Sequence, residues 1–348
     1  MKTLAAILVE PNQPLVLEEI EIPPLGPGQV LVKIRASGVC HTQLLECRGR
    51  RGNDPYLPHC LGHEGSGVVL DIGPGVSKVA VDSEVILSWI KGSGADVPGT
   101  VYDWNGRRVN AGGVTTFSHH AVVSENRLTP LPPGIDFRDA ALLGCAVPTG
   151  FGAVRHAAHV RPGESVVIFG VGGVGLCAVA GAAISGAYPV IAVDIIEEKL
   201  LLARSLGATH TIDARNTDPV EAVQSVLKGP ADAAIEATGR PAVMAQALAV
   251  VRPQGGRAVV IGNAPHGDML TLDPGELNQG KNLLGTWGGD NDPDQDFPRY
   301  ASLVAAGHLP LTELWRVYPL TEVEAALADL EAGQVARPLL VPDSVSSE

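Results

Sequence analysis

The sequence predicts an α/β protein in two parts, one rich in β-strands and the other built on a doubly wound parallel sheet. Three observations predict it. Residues 1 to about 145 are dense in Gly and Pro and carry short β-prone runs. From about 146, apolar strands alternate with Ala- and Leu-rich helical segments, and from about 291 to 348 the chain returns to mixed character. Alternating strand and helix specifies βαβ units and a parallel sheet, whereas short strands punctuated by turn residues specify an all-β assembly. At 348 residues the chain also exceeds one ordinary hydrophobic core. Two domains with a ligand-binding cleft between them are therefore expected.

Taken in order, residues 4–9 form an apolar run after Met1, Lys2 and Thr3 that faintly resembles a signal peptide. It stops at Glu10 without a small-residue cleavage site and reads as a first strand. Strands follow over 15–22, 29–36, 67–71, 84–90 and 115–124. The parallel sheet is expected from the apolar runs 165–170, 189–194, 231–236 and 257–262. A helix over 321–332 and a last strand over 338–341 close the chain, and no internal repeat is visible.

Composition narrows the function. Apolar residues at 45% and charged residues at 18% describe a globular chain, and the formal charge of −13 repels nucleic acid and anionic membranes. No nucleic-acid or membrane partner is expected, since no apolar stretch approaches the ~20 residues a span needs. Five cysteines, an odd number, read as thiols in a reducing compartment, with the cytoplasm the simplest address.

One motif sits in its required context. An apolar strand at 166–169 runs into Gly170, Val171, Gly172, Gly173, Val174 and Gly175, then into a helical run over 176–183. In such a G-x-G-x-x-G turn the first glycine permits the tight bend, the second lets backbone approach a pyrophosphate, and the third packs helix on strand. Asp194 ends the next strand, 24 residues after Gly170, where a carboxylate accepts hydrogen bonds from the adenosine ribose. That carboxylate repels a 2′-phosphate, and Ile195 and Ile196 follow it rather than Arg or Ser, so NAD is the expected cofactor.

The other concentrated chemistry is Cys40 and His41 with Thr42, then His63 and Glu64, then Cys145. Two thiolates and one imidazole make a zinc site with an open fourth position. Singly, a cysteine is a small buried hydrophobe and a histidine a satisfied core residue; alongside a nucleotide motif the set reads as a site.

On these residues the sequence resembles the zinc-dependent alcohol dehydrogenases of the medium-chain dehydrogenase/reductase family. The resemblance covers nearly the whole chain and rests on residues 38–42, 62–67, Gly144 and Cys145 with Thr149 and Gly150, 170–175, and 333–340. It implies a β-rich, GroES-like catalytic domain made from 1–145 with 291–348 around a Rossmann domain over 146–290. It implies one catalytic Zn2+ per chain on Cys40, His63 and Cys145, with Glu64 able to enter the coordination shell, and Thr42 relaying the substrate proton. His41 and Arg337 would touch the cofactor pyrophosphate, Thr149 would lie beside the nicotinamide, Asp194 and Lys199 would hold the ribose, and Ile261 and Asn263 would position the ring. Glu236 is a further candidate there. Trp89 and Leu45 would wall the substrate pocket. A small-molecule alcohol or carbonyl is the implied substrate, and a homodimer or homotetramer, paired through the strand at 283–288, the implied assembly.

Departures from the family pattern carry their own expectations. No cysteine lies in 91–113, so the second, structural zinc of many relatives is expected to be absent, with a tight hairpin at Asn105 and Gly106 closing that lobe. Gln43 stands where an aspartate usually bonds the liganding histidine, and Leu45 where a proton-shuttling histidine is common. Cys47, Cys60 and Cys177 read as ordinary thiols, and Arg48, Arg50 and Arg51 as a solvated loop in preference to a contact for an anionic or polyhydroxylated substrate. The rival readings are a zinc-free NAD(P)H quinone or enal reductase of the same superfamily, which has no use for three ligands together, and a non-catalytic NAD-binding sensor.

Overall fold

The computed structural model describes residues 1–342 and divides the chain into two compact units. The first comprises residues 1–145, 292–307 and the chain from Leu314 onward; the second comprises 146–291 with 308–313. The expected domain over 291–348 thus divides, and its last six residues lie outside the described part. The reason is local bonding. Asn291 donates to the Pro148 carbonyl (2.7 Å), and Ser205 donates to Glu313 (2.7 Å), which ties both segments to the second unit.

In the β-rich unit, strands Lys2–Leu8, Val16–Glu21, Val101–Trp104, Arg107–Asn110 and His59–Cys60 close a barrel. A second sheet orders Leu128–Pro130, Glu84–Ser88, Glu64–Ile72, Gln29–Gly38, Arg337–Val341 and Trp315–Pro319, with His120–Ser124 also paired to Gln29–Gly38. Side-chain alternation builds the core. Ala5 and Ile7 of the first strand pack in one apolar cluster while Ala6 and Leu8 pack in another, as the two-residue period of a strand requires.

Two expectations shift. The strand placed at 67–71 begins at Glu64, and the one placed at 115–124 is confined to His120–Ser124. The N–H groups of Thr116 and Phe117 both turn to the Leu61 carbonyl (3.0 Å each), so this stretch follows a kink rather than a ladder. The hairpin forms as expected: Trp104 pairs with Arg107, and Asn105 (φ 52°) and Gly106 (φ 86°) take the left-handed conformations of a two-residue type I′ turn.

The second unit is a six-stranded parallel sheet ordered His210–Asp213, Val190–Asp194, Val166–Phe169, Ala233–Glu236, Arg257–Val260 and Asn282–Gly285. In chain order this is 3-2-1-4-5-6, the Rossmann arrangement, whose order reverses beside the first strand. Val167 and Phe169 pack with Ile191 and Val193 in the core of this unit. Helix Gly173–Ile184 follows the first strand at the glycine turn.

Candidate metal and dinucleotide sites

Three separated segments of the β-rich unit supply the metal cluster. Strand Gln29–Gly38 delivers Cys40 to the N-cap of helix His41–Cys47. Gly62 (φ 90°) turns the chain so that His63 leads into strand Glu64–Ile72; a Cβ at Gly62 would strike Thr116. Ser88 donates to the Gly144 carbonyl (2.6 Å) and so anchors the turn bearing Cys145. Cys40 Sγ, a ring nitrogen of His63 and Cys145 Sγ all lie within 4.8 Å of one another.

Electrostatics show what these groups fit. Glu64 is 0% and Arg337 2% exposed, and they pair at 2.5 Å. Space enforces the arrangement, because a Cβ on Gly38 would fall 1.9 Å from the Glu64 carboxylate. The Cys145 thiol beside it, aided by Arg337 and His63, holds the Cys40 thiol well below its usual range against the cost of burial. The same contact and burial push Cys145 well up. Burial opposes charge on His63, but the close approach and charge of the Cys40 sulfur outweigh it and raise the imidazole.

Such mutual perturbation marks a site built for charge. With both thiols ionised, this buried set carries three negative charges against the one positive charge of Arg337, and a divalent cation neutralises it. His63 Nε2 is buried without a hydrogen-bond partner. A two-sulfur, one-nitrogen donor set with an orphaned imidazole nitrogen fits zinc and leaves a fourth position for substrate oxygen.

Glu64 and Arg337 pair with each other beside the ligand cluster. Arg337 is buried in the β-rich unit as the counter-charge to Glu64 and the thiols, which raise its guanidinium despite burial.

Gln43 carries more than the sequence suggests. It is 2% exposed; its Oε1 accepts from the Cys40 N–H (3.0 Å) and its Nε2 lies 2.5 Å from His63 Nδ1. One side chain thus braces two ligands. When His63 uses Nε2 as a ligand, its Nδ1 carries the hydrogen and needs an acceptor. Cys40 N–H needs one too, and an amide offers a single oxygen.

The remaining candidates divide between the two units. Thr42 Oγ1 lies 3.8 Å from Cys40 Sγ, and Leu45 is half-buried on the same helix. The Trp89 ring meets that of His63 edge-on at 6.4 Å. His41 is exposed at the first helical position. Burial pushes the Cys47 and Cys60 thiols up to about 12, as suits ordinary thiols, and Arg48 pairs with Glu331 at the surface.

In the second unit, Gly170 (φ 81°) makes the bend, a Cβ on Gly175 would fall 1.9 Å from the Gly170 carbonyl, and a Cβ on Gly172 would meet nothing within 4 Å. The first and third glycines serve packing; the second borders open space where a pyrophosphate fits. Asp194 Oδ2 accepts from Val171 N–H (2.7 Å), and Oδ1 accepts from Ile195 and Ile196. Lys199 is half-buried on helix Glu197–Ser205. Thr149 Oγ1 is buried without a partner on helix Ala146–Gly152. Ile261 N–H bonds the Glu236 carbonyl, and the Asn263 carbonyl lies against Gly239. Glu236 is wholly buried, its Oε1 bracing Thr238 and Gly239.

A thiolate-imidazole metal cluster in one unit and a dinucleotide turn in the other define a zinc- and nicotinamide-dependent oxidoreductase. The comparisons make the class specific: the chain belongs to the zinc-dependent alcohol dehydrogenases of the medium-chain dehydrogenase/reductase family. Residues 26–133 match the alcohol dehydrogenase GroES-like domain and residues 173–306 the zinc-binding dehydrogenase family. The S-(hydroxymethyl)glutathione dehydrogenase of Synechocystis is 35% identical, over 82% of this chain and 85% of its own. The NDMA-dependent alcohol dehydrogenase of Amycolatopsis methanolica is 33% identical, over 98% and 99%. The crystal structure of benzyl alcohol dehydrogenase from Acinetobacter calcoaceticus superposes with a TM-score of 0.89 at 30% identity, covering 98% of this chain and 99% of that one. The protein is an oxidoreductase acting on CH–OH groups.

Proposed function

We propose that this chain interconverts a small alcohol and its aldehyde or ketone with NAD, using one zinc held by Cys40, His63 and Cys145. The carrying observation is the buried His63 Nε2, without a partner, facing two thiols of opposite perturbation. Zinc supplies a Lewis acid; its effect on water, from pKa 15.7 to about 7, corresponds to about 12 kcal/mol of oxyanion stabilisation. Thr42, next to Cys40, takes the proton from the substrate hydroxyl, while Trp89 and Leu45 wall the pocket.

The second unit holds NAD, which carries the hydride chemistry. The open face of Gly172 and the N-terminus of helix Gly173–Ile184 receive the pyrophosphate. Asp194, already fixed by three backbone N–H groups, accepts from the ribose and excludes a 2′-phosphate, with Lys199 beside it. Thr149, Ile261 and Asn263 orient the nicotinamide. The sheet's edge strand Asn282–Gly285 offers unpaired backbone for a homodimer or homotetramer. Initial rates with NAD and NADP test the assignment: kcat/KM at least about a hundredfold higher with NAD is expected, about 2.7 kcal/mol of discrimination. Equal rates would remove Asp194 as the selector.

A further inference from the structure

Among the described acids of the second unit, only Glu236, at the end of strand Ala233–Glu236, is wholly buried. One oxygen of its carboxylate is saturated: Oε1 accepts from Thr238 N–H (2.6 Å), Thr238 Oγ1 (2.5 Å) and Gly239 N–H (2.9 Å). The other, Oε2, is buried without a partner. Burial pushes the carboxyl up against the bonds from Thr238 and Gly239. Lys281, the buried cation of the same unit, is spent elsewhere, on Glu276 and on the carbonyls of Leu248 and Ala249.

The place of this uncompensated acid follows from the sheet. Strand Val166–Phe169 lies between Val190–Asp194 on one side and Ala233–Glu236 on the other. A dinucleotide with its pyrophosphate at Gly172 and its adenosine ribose on Asp194 extends its other half over the end of Ala233–Glu236, across the point where the strand order reverses. Glu236 pairs in register with Phe169, the residue before the glycine turn, and a Cβ on Gly170 would fall 2.5 Å from the Thr238 methyl. The turn that Glu236 braces thus abuts the turn that receives the pyrophosphate.

A buried carboxylate without a cation is costly, and an opposite charge brought near it offsets that cost. The nicotinamide ring is positive in the oxidised cofactor and neutral in the reduced one. We propose that Glu236 makes the dinucleotide site favour oxidised NAD over NADH, its carboxylate attracting the ring's positive charge through the strand-end turn without touching it. The inference rests on the NAD assignment proposed above. A purely structural role is the alternative, because the Glu236 carbonyl also accepts from Ile261 and Gly262 N–H, and a Cβ on Gly262 would fall 2.9 Å from Oε2.

Calorimetric titration of the zinc-loaded full chain with NAD, NADH and ADP-ribose separates the two. Glu236→Gln keeps an oxygen for Thr238 and Gly239 but removes the charge. Its Kd for NAD should rise about tenfold, while those for NADH and ADP-ribose stay within about twofold of wild type. Glu236→Asp, which keeps the charge, should hold the ratio of the NADH and NAD constants within about threefold of wild type. Equal weakening of NAD and NADH in Glu236→Gln reduces Glu236 to a brace, and unchanged NAD binding leaves its charge without effect; either result overturns the proposal. If Glu236→Gln does not fold, the wild type decides, tighter binding of NAD than of NADH supporting the proposal and the reverse overturning it. Wild-type protein that binds none of the three ligands defeats the dinucleotide reading itself, a result distinct from binding without preference.

Discussion

The dinucleotide turn and the metal cluster solve the same problem, holding charge in a folded protein, in opposite ways. The turn is contiguous. Residues 170–175 and one carboxylate, Asp194, complete it, and its bonds run from backbone N–H groups to that carboxylate. The cluster is assembled from Cys40, His63 and Cys145 on three segments, and it holds together only because buried groups around it match in charge and shape. Gly38 makes room for Glu64, Glu64 meets Arg337, Ser88 fixes the Cys145 turn, and Gln43 ties Cys40 to His63. The turn depends on what is absent, a Cβ at Gly172. The cluster depends on what surrounds it.

That contrast predicts separable failures. The largest effect is expected from Cys145→Ala: zinc lost and kcat/KM down by at least about a thousandfold, some 4 kcal/mol, with NAD affinity within about twofold of wild type. Atomic absorption, kinetics and NAD titration check it. If NAD binding collapses as well, the two sites are not independent.

Gly172→Ala probes the other side. The added methyl meets nothing within 4 Å and φ is −74°, so the fold and zinc content should persist. It would occupy the space proposed for the pyrophosphate, and KM for NAD should rise about tenfold, near 1.4 kcal/mol. Unchanged KM would move the cofactor elsewhere.

The smallest effect sharpens the comparison most. Gln43→Glu supplies two acceptor oxygens where the amide supplies one, so both Cys40 N–H and His63 Nδ1–H are satisfied, and zinc affinity should rise about fivefold in a chelator competition. Weaker zinc binding in that variant would show that the neutral amide, not its single oxygen, is what the cluster requires.

The same contrast explains what the sequence made legible. The parallel sheet, the glycine turn and the Asn105–Gly106 hairpin could be read from local pattern and spacing, whereas the three ligands, on remote segments, were singled out by residue type and by the resemblance to the family. The Glu64–Arg337 pair was not legible, because the two residues are remote in the chain and only the folded sheet makes them neighbours.

The central claim is that the β-rich unit is a one-zinc site serving alcohol oxidation. Elemental analysis of protein purified without chelator or added metal tests it most directly. One zinc per chain, with NAD-linked alcohol oxidation lost on chelation and restored by zinc, is the predicted result. Folded, NAD-binding protein that carries no zinc and takes none up would contradict it and return the metal-free reductase or the sensor to first place.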